Sequence, residues 1–255
     1  SFTALIALPR EQTMAGHLAG KNIAVTGAGN GIGRGIALAC ASEGANVVVA
    51  DYGVTMDGSD PSSEVADVVV DEIRAAGGTA IAVAGDVSEM AVGQRIVDTA
   101  VQNWGTIDGV VCVAGIVRER MLFNMSEEEF DHVVGVHLKG HFTLYRAASA
   151  VMRKQETGGS LVGFTSGAFV ASTAQANYSA AKGGVISLTR SAAFALRRYG
   201  INANCIAPTA MTRMSENVPF EIEAGAPEDI APLAVYLLSD AARDITAQTL
   251  SRLHI

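Results

Sequence analysis

The chain has little of what staples a small secreted fold. Its three cysteines, Cys40, Cys112 and Cys205, are too few and too scattered for a disulfide framework. None stands in a C-x-x-C pair, which excludes a zinc ribbon. Each lies in an apolar stretch and reads as a small buried thiol in a reducing compartment, so a cytoplasmic protein is expected. Charged residues are only 17% and aromatics 5% of the 255 residues. Basic residues are outnumbered 18 to 26, for a net charge of −8, so no basic footprint suggests a nucleic-acid binder. No apolar run reaches the ~18 residues that span a membrane. There is no internal repeat, no charge block and no linker. Ala4–Leu8 is apolar but has no basic region before it, so a signal peptide is not expected.

What is present is core-forming. Apolar residues make up 49% at a mean hydropathy of +0.28, and glycine is high at 27. That excludes wholesale disorder. The length gives one to two domains at ~150 residues each, and α/β folds of this size are often one. Met14-Ala-Gly-His reads as a native start, which makes Ser1–Thr13 an upstream extension or a cloning remnant. The expected division is an N-terminal extension over 1–17 and one domain over 18–255.

Short β-branched runs alternate with helical windows. Strands are predicted at Asn22–Thr26, Asn46–Ala50, Thr79–Ala84, Gly109–Val113, Ser160–Phe164 and Ile201–Ile206. They are nearly continuous apolar runs, the mark of strands covered on both faces. Helices are predicted near 31–43, 62–76, 90–103, 126–152, 176–199 and 228–238. Ser126 with Glu129 forms a capping box, and Pro227 before Glu228-Asp229 is a helix-start signal. This alternation predicts an α/β fold, a doubly wound parallel sheet with right-handed crossovers. Two irregular stretches interrupt it, 53–63 and 209–226.

Thr26-Gly27-Ala28-Gly29-Asn30-Gly31-Ile32-Gly33 follows the first strand and opens the first helix. Glycines let the chain turn tightly there and approach a pyrophosphate, while the helix N-terminus offers oriented N–H groups. The spacing is G-x-x-x-G-x-G rather than the commoner G-x-G-x-x-G. A Gly-rich turn without a ligand is the competing reading. Asp51 ends the second strand, where a carboxylate would accept hydrogen bonds from ribose hydroxyls and repel a 2′-phosphate. Position 30 is Asn, not a base, so no cation waits for that phosphate. Both features favour NAD over NADP. Asp86-Val87 follows the third strand, where the carboxylate either meets an adenine edge or simply caps the turn before Ser88.

Tyr178 and Lys182 stand at i, i+4, one turn apart on one helix face. A phenol with a reference pKa of ~10 is a poor acid–base at neutral pH. A nearby ammonium would lower that value and let the pair pass a proton to or from an oxygen. Alone, Y-x-x-x-K is common by chance.

Together these features resemble the short-chain dehydrogenase/reductase family. The resemblance rests on the Gly27–Gly33 loop, Asp51, Asp86-Val87, Ala114-Gly115, Gln175-Ala-Asn-Tyr178, Lys182, and Pro208 with Thr212, and it covers about residues 18–247. It implies a single Rossmann-like domain and hydride transfer between a nicotinamide and a carbonyl or alcohol. It implies Tyr178 as general acid/base and Lys182 as holder of the nicotinamide ribose. A serine would orient the substrate oxygen, and Thr212 would meet the carboxamide. The implied cofactor contacts are Gly27, Asn30, Gly31, Ile32, Gly33, Asp51, Asp86, Val87, Ala114, Gly115, Tyr178, Lys182, Pro208 and Thr212.

The chain departs from the family in places. The catalytic serine usually precedes the tyrosine by thirteen residues, a count that gives Thr165. Counting forward from the fifth strand gives Ser166, and a one-residue deletion within 167–174 reconciles the two in favour of Ser166. The family's two asparagines after the fourth strand are Cys112-Val113 here. A reactive role for Cys112 is not expected, since no neighbouring base is visible. The family's fourth catalytic residue, an Asn, is matched by His137, whose imidazole could still serve a proton relay. The C-terminus departs most, with a last strand expected near Gln248–Leu250 and doubt over a tetramer. Gly183-Gly184 on the tyrosine helix points to at least a dimer.

The loop 52–63 and His137-Leu-Lys-Gly140 resemble the hydroxyacyl-CoA dehydrogenase-like branch. The expected substrate is therefore a 3-oxoacyl or 3-hydroxyacyl thioester, with a hydroxysteroid as the rival. Met211, Met214, Val218, Pro219 and Phe220 would make 209–226 an apolar cover. The non-enzyme alternatives are an NAD-binding sensor or scaffold that has lost its chemistry, and a binding module without a cofactor.

Overall fold

Leu18 opens the described chain's core, fully buried, with its N–H bonded to Glu43 O. The computed structural model describes residues 16–53, 64–208 and 227–251. Among the described residues, seven parallel strands follow the order β3-β2-β1-β4-β5-β6-β7. They are β1 (Asn22–Thr26), β2 (Asn46–Asp51), β3 (Thr79–Ala84), β4 (Gly109–Cys112), β5 (Gly159–Phe164), β6 (Ile201–Ala207) and β7 (Thr249–Ser251). The helices are α1 (Gly31–Ser42), α2 (Glu64–Ala75), α3 (Met90–Trp104), α4 (Glu127–Val134), α5 (Gly140–Gln155), α6 (Ala176–Leu196) and α7 (Ala231–Leu238).

Strand side chains alternate between two cores, as period-2 geometry requires. Val25, Val47, Val49, Val111 and Val162 pack with α1, α2 and α7. Ala24, Val48, Val110, Cys112 and Leu161 pack with α3, α5 and α6. Strands covered on both faces bury nearly every residue, which is why they read as continuous apolar runs. The two edge strands are the exceptions, β3 with Thr79 and Ala84 exposed and β7 with Ser251 exposed, although β3 is as apolar in sequence as the inner strands.

Two predicted elements come out differently. The window 126–152 is not one helix. α4 starts on the expected Ser126–Glu129 capping box, worth ~1 kcal/mol. It then passes through a π turn, Gly135–Lys139, before α5 begins. The extra residue in that turn shifts the helical face, a change the 3.6 periodicity does not report. The last helix starts later than expected, because Pro227–Ile230 forms a 3-10 turn and α7 begins at Ala231.

The strand order reverses between β1 and β4. An open parallel sheet leaves a crevice at such a point, outside the strands' carboxyl ends. Asp51 ends β2, and the Gly27–Gly33 loop, Ala114-Gly115, Ser166 and Pro208 follow strand ends on the same edge.

Candidate active site

The glycine loop is built for a close approach. Gly27 has φ +64, and a Cβ there would lie 2.7 Å from the Ala114 backbone. A Cβ on Gly33 would lie 2.0 Å from Gly27 O, so α1 presses directly on the loop. Asn30 is the N-cap of α1 but its side chain caps nothing, which leaves the helix's first N–H groups facing outward. Asp51 ties the glycine loop to the turn that follows β2. Its Oδ2 accepts from Gly29 N–H at 2.7 Å and its Oδ1 from Gly53 N–H at 2.6 Å. Asp86 makes the capping contact of the two weighed for it, accepting from Ser88 N–H at 2.8 Å. Val87 is buried, with its carbonyl taken by the Thr143 hydroxyl at 2.7 Å. Thr212, the segment 209–226, most of the loop 53–63 and residues 1–15 lie outside the described residues, and so do 252–255.

The second group gathers on α6. Tyr178 and Lys182 share a face, with the Lys182 Nζ 5.3 Å from the Tyr178 ring centroid. The Ser166 hydroxyl lies close enough to the Tyr178 phenol to favour its charged form, and it accepts from Ala168 N–H at 3.3 Å. Thr165 turns the other way, fully buried, its hydroxyl donating to Lys182 O at 2.9 Å. Of the two candidate hydroxyls, only Ser166 meets Tyr178. His137 sits in the π turn, buried, its ring edge-on to Tyr178 with centroids 5.0 Å apart. Its Nε2 is 2.8 Å from Ile116 O and 3.1 Å from Ile116 N. Nε2 either donates to Ile116 O or accepts from Ile116 N–H, according to the tautomer. Nδ1 is buried without a hydrogen-bond partner among the described residues. A Cβ on Gly115 would lie 2.1 Å from His137 Cε1, so that glycine makes room for the ring.

The electrostatics differ from the expectation that Lys182 lowers the Tyr178 pKa. Burial raises the phenol, and the Ser166 hydroxyl pulls the other way. Burial also drives Lys182 itself from 10.5 down to about 7. Its charge is then only half present near neutrality, and a half-charged neighbour supports a phenolate weakly. Burial and the Lys182 charge hold His137 well below its usual value. Burial pushes the Cys112 thiol upward, which agrees with an unreactive role.

Two side chains that build the site carry no role in the sequence reading. Asn177 is fully buried. Its Nδ2 donates to Arg118 O and Glu129 O, both at 3.0 Å, and its Oδ1 accepts from Tyr178 N–H at 2.8 Å. It fastens the first turn of α6 to α4 and to the chain after β4. His141 is buried between the π turn and β5. The only sequence signal for it is its i+4 spacing from His137.

Residues 27–252 match a family model described as enoyl-(acyl carrier protein) reductase. The hydroxyacyl-CoA dehydrogenase ChsB1 of Mycobacterium tuberculosis is 45% identical over 251 residues, which is 91% of this chain and 76% of that protein. The peroxisomal hydratase-dehydrogenase-epimerase of Saccharomyces cerevisiae is 43% identical over 234 residues. There the match takes in 90% of this chain but only 26% of the yeast protein. The crystal structure of a short chain dehydrogenase from Mycobacterium avium superposes with a TM-score of 0.84 at 48% identity. That match covers 93% of this chain and 84% of the other.

Proposed function

This chain belongs to the short-chain dehydrogenase/reductase family, and from that premise we propose that it is an NAD-dependent dehydrogenase of 3-hydroxyacyl thioesters, working reversibly on the 3-oxoacyl form. The observation that carries the reading is the meeting of Ser166, Tyr178 and Lys182 at the carboxyl edge of the sheet, beside the crevice between β1 and β4. The residues there fit a dinucleotide. Gly27 and Gly33 leave no room for a side chain, and the uncapped N-terminus of α1 offers N–H groups to a pyrophosphate. When bound, the nicotinamide supplies or accepts the hydride.

The protein's own residues do the rest. Ser166 orients the substrate oxygen, and Tyr178 gives that oxygen a proton or takes one from it. Lys182 holds the nicotinamide ribose, and His137 stands behind Tyr178 with a free nitrogen for a proton relay. Ala114-Gly115 and Pro208 border the nicotinamide end, with Thr212 for the carboxamide. The preference for NAD rests on Asp51, a carboxylate where a 2′-phosphate would otherwise sit, and on Asn30. The thioester class rests on the similarity to the mycobacterial hydroxyacyl-CoA dehydrogenase and on His137-Leu-Lys-Gly140.

A cytoplasmic homodimer is part of the same reading. Cys40, Cys112 and Cys205 are free and buried, and no helix among the described residues is long and apolar enough to cross a membrane. Gly183 on α6 faces open space, while Phe142 on α5 and Phe194 on α6 are exposed, as an unpaired packing face would leave them.

The test is NADH oxidation with acetoacetyl-CoA, run beside NADPH and beside Tyr178→Phe. The expected result is turnover with NADH, weak turnover with NADPH, and a loss of roughly 10²-fold or more in Tyr178→Phe. Turnover with NADPH alone would overturn the role of Asp51. No turnover with NADH bound would move the substrate to a steroid or other alcohol, or leave a cofactor-binding protein without chemistry.

A further inference from the structure

β4 ends at Cys112, paired with Gly163 of β5, and the chain then turns away through Val113–Gly115. One rung later on β5, Phe164 has lost its partner strand on that side. The other side of β5 is served by Thr165, whose N–H bonds Ile206 O of β6. Two side chains from different helices fill the missing rung. Phe164 N–H donates to His141 Nε2 at 3.1 Å, and Phe164 O accepts from Lys182 Nζ at 2.7 Å. His141 also donates from Nδ1 to His137 O at 2.6 Å. With one nitrogen accepting and the other donating, the ring is neutral and held in a single tautomer.

We propose that His141 is a positioning residue for the Lys182–Tyr178 pair. It fixes the Phe164 peptide whose carbonyl seats Lys182, and ties that peptide to the π turn carrying His137. This rests on the preceding assignment of the proton chemistry to Tyr178 and Lys182. Lys182 is the buried charge of the layer, and the exposed Arg190 of α6 acts on Cys205 from outside it. His141 faces Tyr145 of its own helix, with ring centroids 6.0 Å apart, and the Tyr145 hydroxyl meets Thr189 of α6 at 3.2 Å. Cys112 of β4 and Cys205 of β6 close the layer, and His137 borders it from the π turn. Burial pushes both thiols and the Tyr145 phenol up and both imidazoles down, His141 to about 3. All are neutral at neutral pH. Gly163 keeps the space open, since a Cβ there would lie 2.6 Å from the Tyr145 hydroxyl and 3.2 Å from His141 Cδ2.

Two substitutions separate the two bonds of the ring. In His141→Gln, the amide oxygen stands where Nε2 stood and can still accept from Phe164. In His141→Asn, the amide nitrogen stands where Nδ1 stood and keeps only the bond to His137. The chain has four lysines, Lys21, Lys139, Lys154 and Lys182, so carbon NMR of labelled lysine side chains follows Lys182 without any substrate. His141→Gln is expected to keep the Lys182 titration and the pH profile of kcat for alcohol oxidation. His141→Asn is expected to lower the Lys182 pKa by about one unit or more, because the charged form loses its carbonyl seat. Identical behaviour of the two variants, or an unshifted His141→Asn, would overturn the proposal. Should His141→Asn not fold, nitrogen NMR of the wild-type histidines decides. A His141 protonated on Nδ1 that does not titrate between about pH 5 and 8 supports the clamp, and the other tautomer or a titrating ring refutes it. Because the lysine titration needs no substrate, absence of thioester turnover would count against the proposed reaction and leave this result standing.

Discussion

Lys182 is the residue at which function works against stability. Its ordinary value is 10.5 and its value in the fold about 7. Between the two, the unfolded chain binds more protons than the folded one, so stability rises with pH across that window. Below about 7 the whole penalty stands. At ~1.4 kcal/mol per unit it amounts to a few kcal/mol, less the hydrogen bond to Phe164 O. Lys182→Met should therefore raise the melting midpoint at pH 7 while abolishing turnover. The gain should shrink as the pH is taken toward about 10. A midpoint unchanged at pH 7, or a gain that does not vary with pH, would mean that the ammonium is solvated and carries no such cost. His141 acts in the same direction lower down, since a ring held at about 3 withdraws stability as the pH falls below the usual histidine range.

Among the elements, the contact between α1 and the glycine loop carries the strictest steric demand. Adding one methyl group in Gly33→Ala places a carbon 2.0 Å from Gly27 O, and the helix must back away from the loop. NADH affinity, followed by fluorescence titration, should fall at least ~10-fold, equal to ~1.4 kcal/mol, while the far-ultraviolet dichroism stays that of the wild type. Unchanged affinity would show that the pyrophosphate does not use this turn. The strands and this loop were legible because their signals are local. β1 and β3 begin and end where their apolar runs do, and the loop sits where a strand passes into a helix. Ser166 and Thr165 could not be separated by counting alone, because the choice depends on which hydroxyl turns toward the Tyr178 phenol and which toward the Lys182 backbone. The π turn was hidden for another reason. One inserted residue between Gly135 and Gly140 leaves composition and average periodicity unchanged, yet it brings His137 and His141 into the site. Edge position was equally invisible, since β3 owes its exposure to the order of strands and not to its own residues.

At the scale of the whole molecule, the outer faces of α5 and α6 set the expected assembly. Phe142 is 46% and Phe194 77% exposed, on a surface where burying one such ring contributes about 2 kcal/mol. Light scattering coupled to gel filtration should give a dimer for the wild type and a monomer for Phe194→Asp. A wild-type monomer would remove the proposed interface. The sheet's order also governs how the molecule comes into being. β1 pairs with β2 on one side, but its other neighbour is β4, with Ile23 registered on Gly109. While the chain is being synthesised, β1, β2 and β3 can come together long before β4 leaves the ribosome. The dinucleotide crevice has only one wall until then. The first half of the sheet must find its shape without help from a ligand, and a bound dinucleotide rewards only the closed crevice. Such a ligand slows the opening of the finished fold and does little to hasten its making.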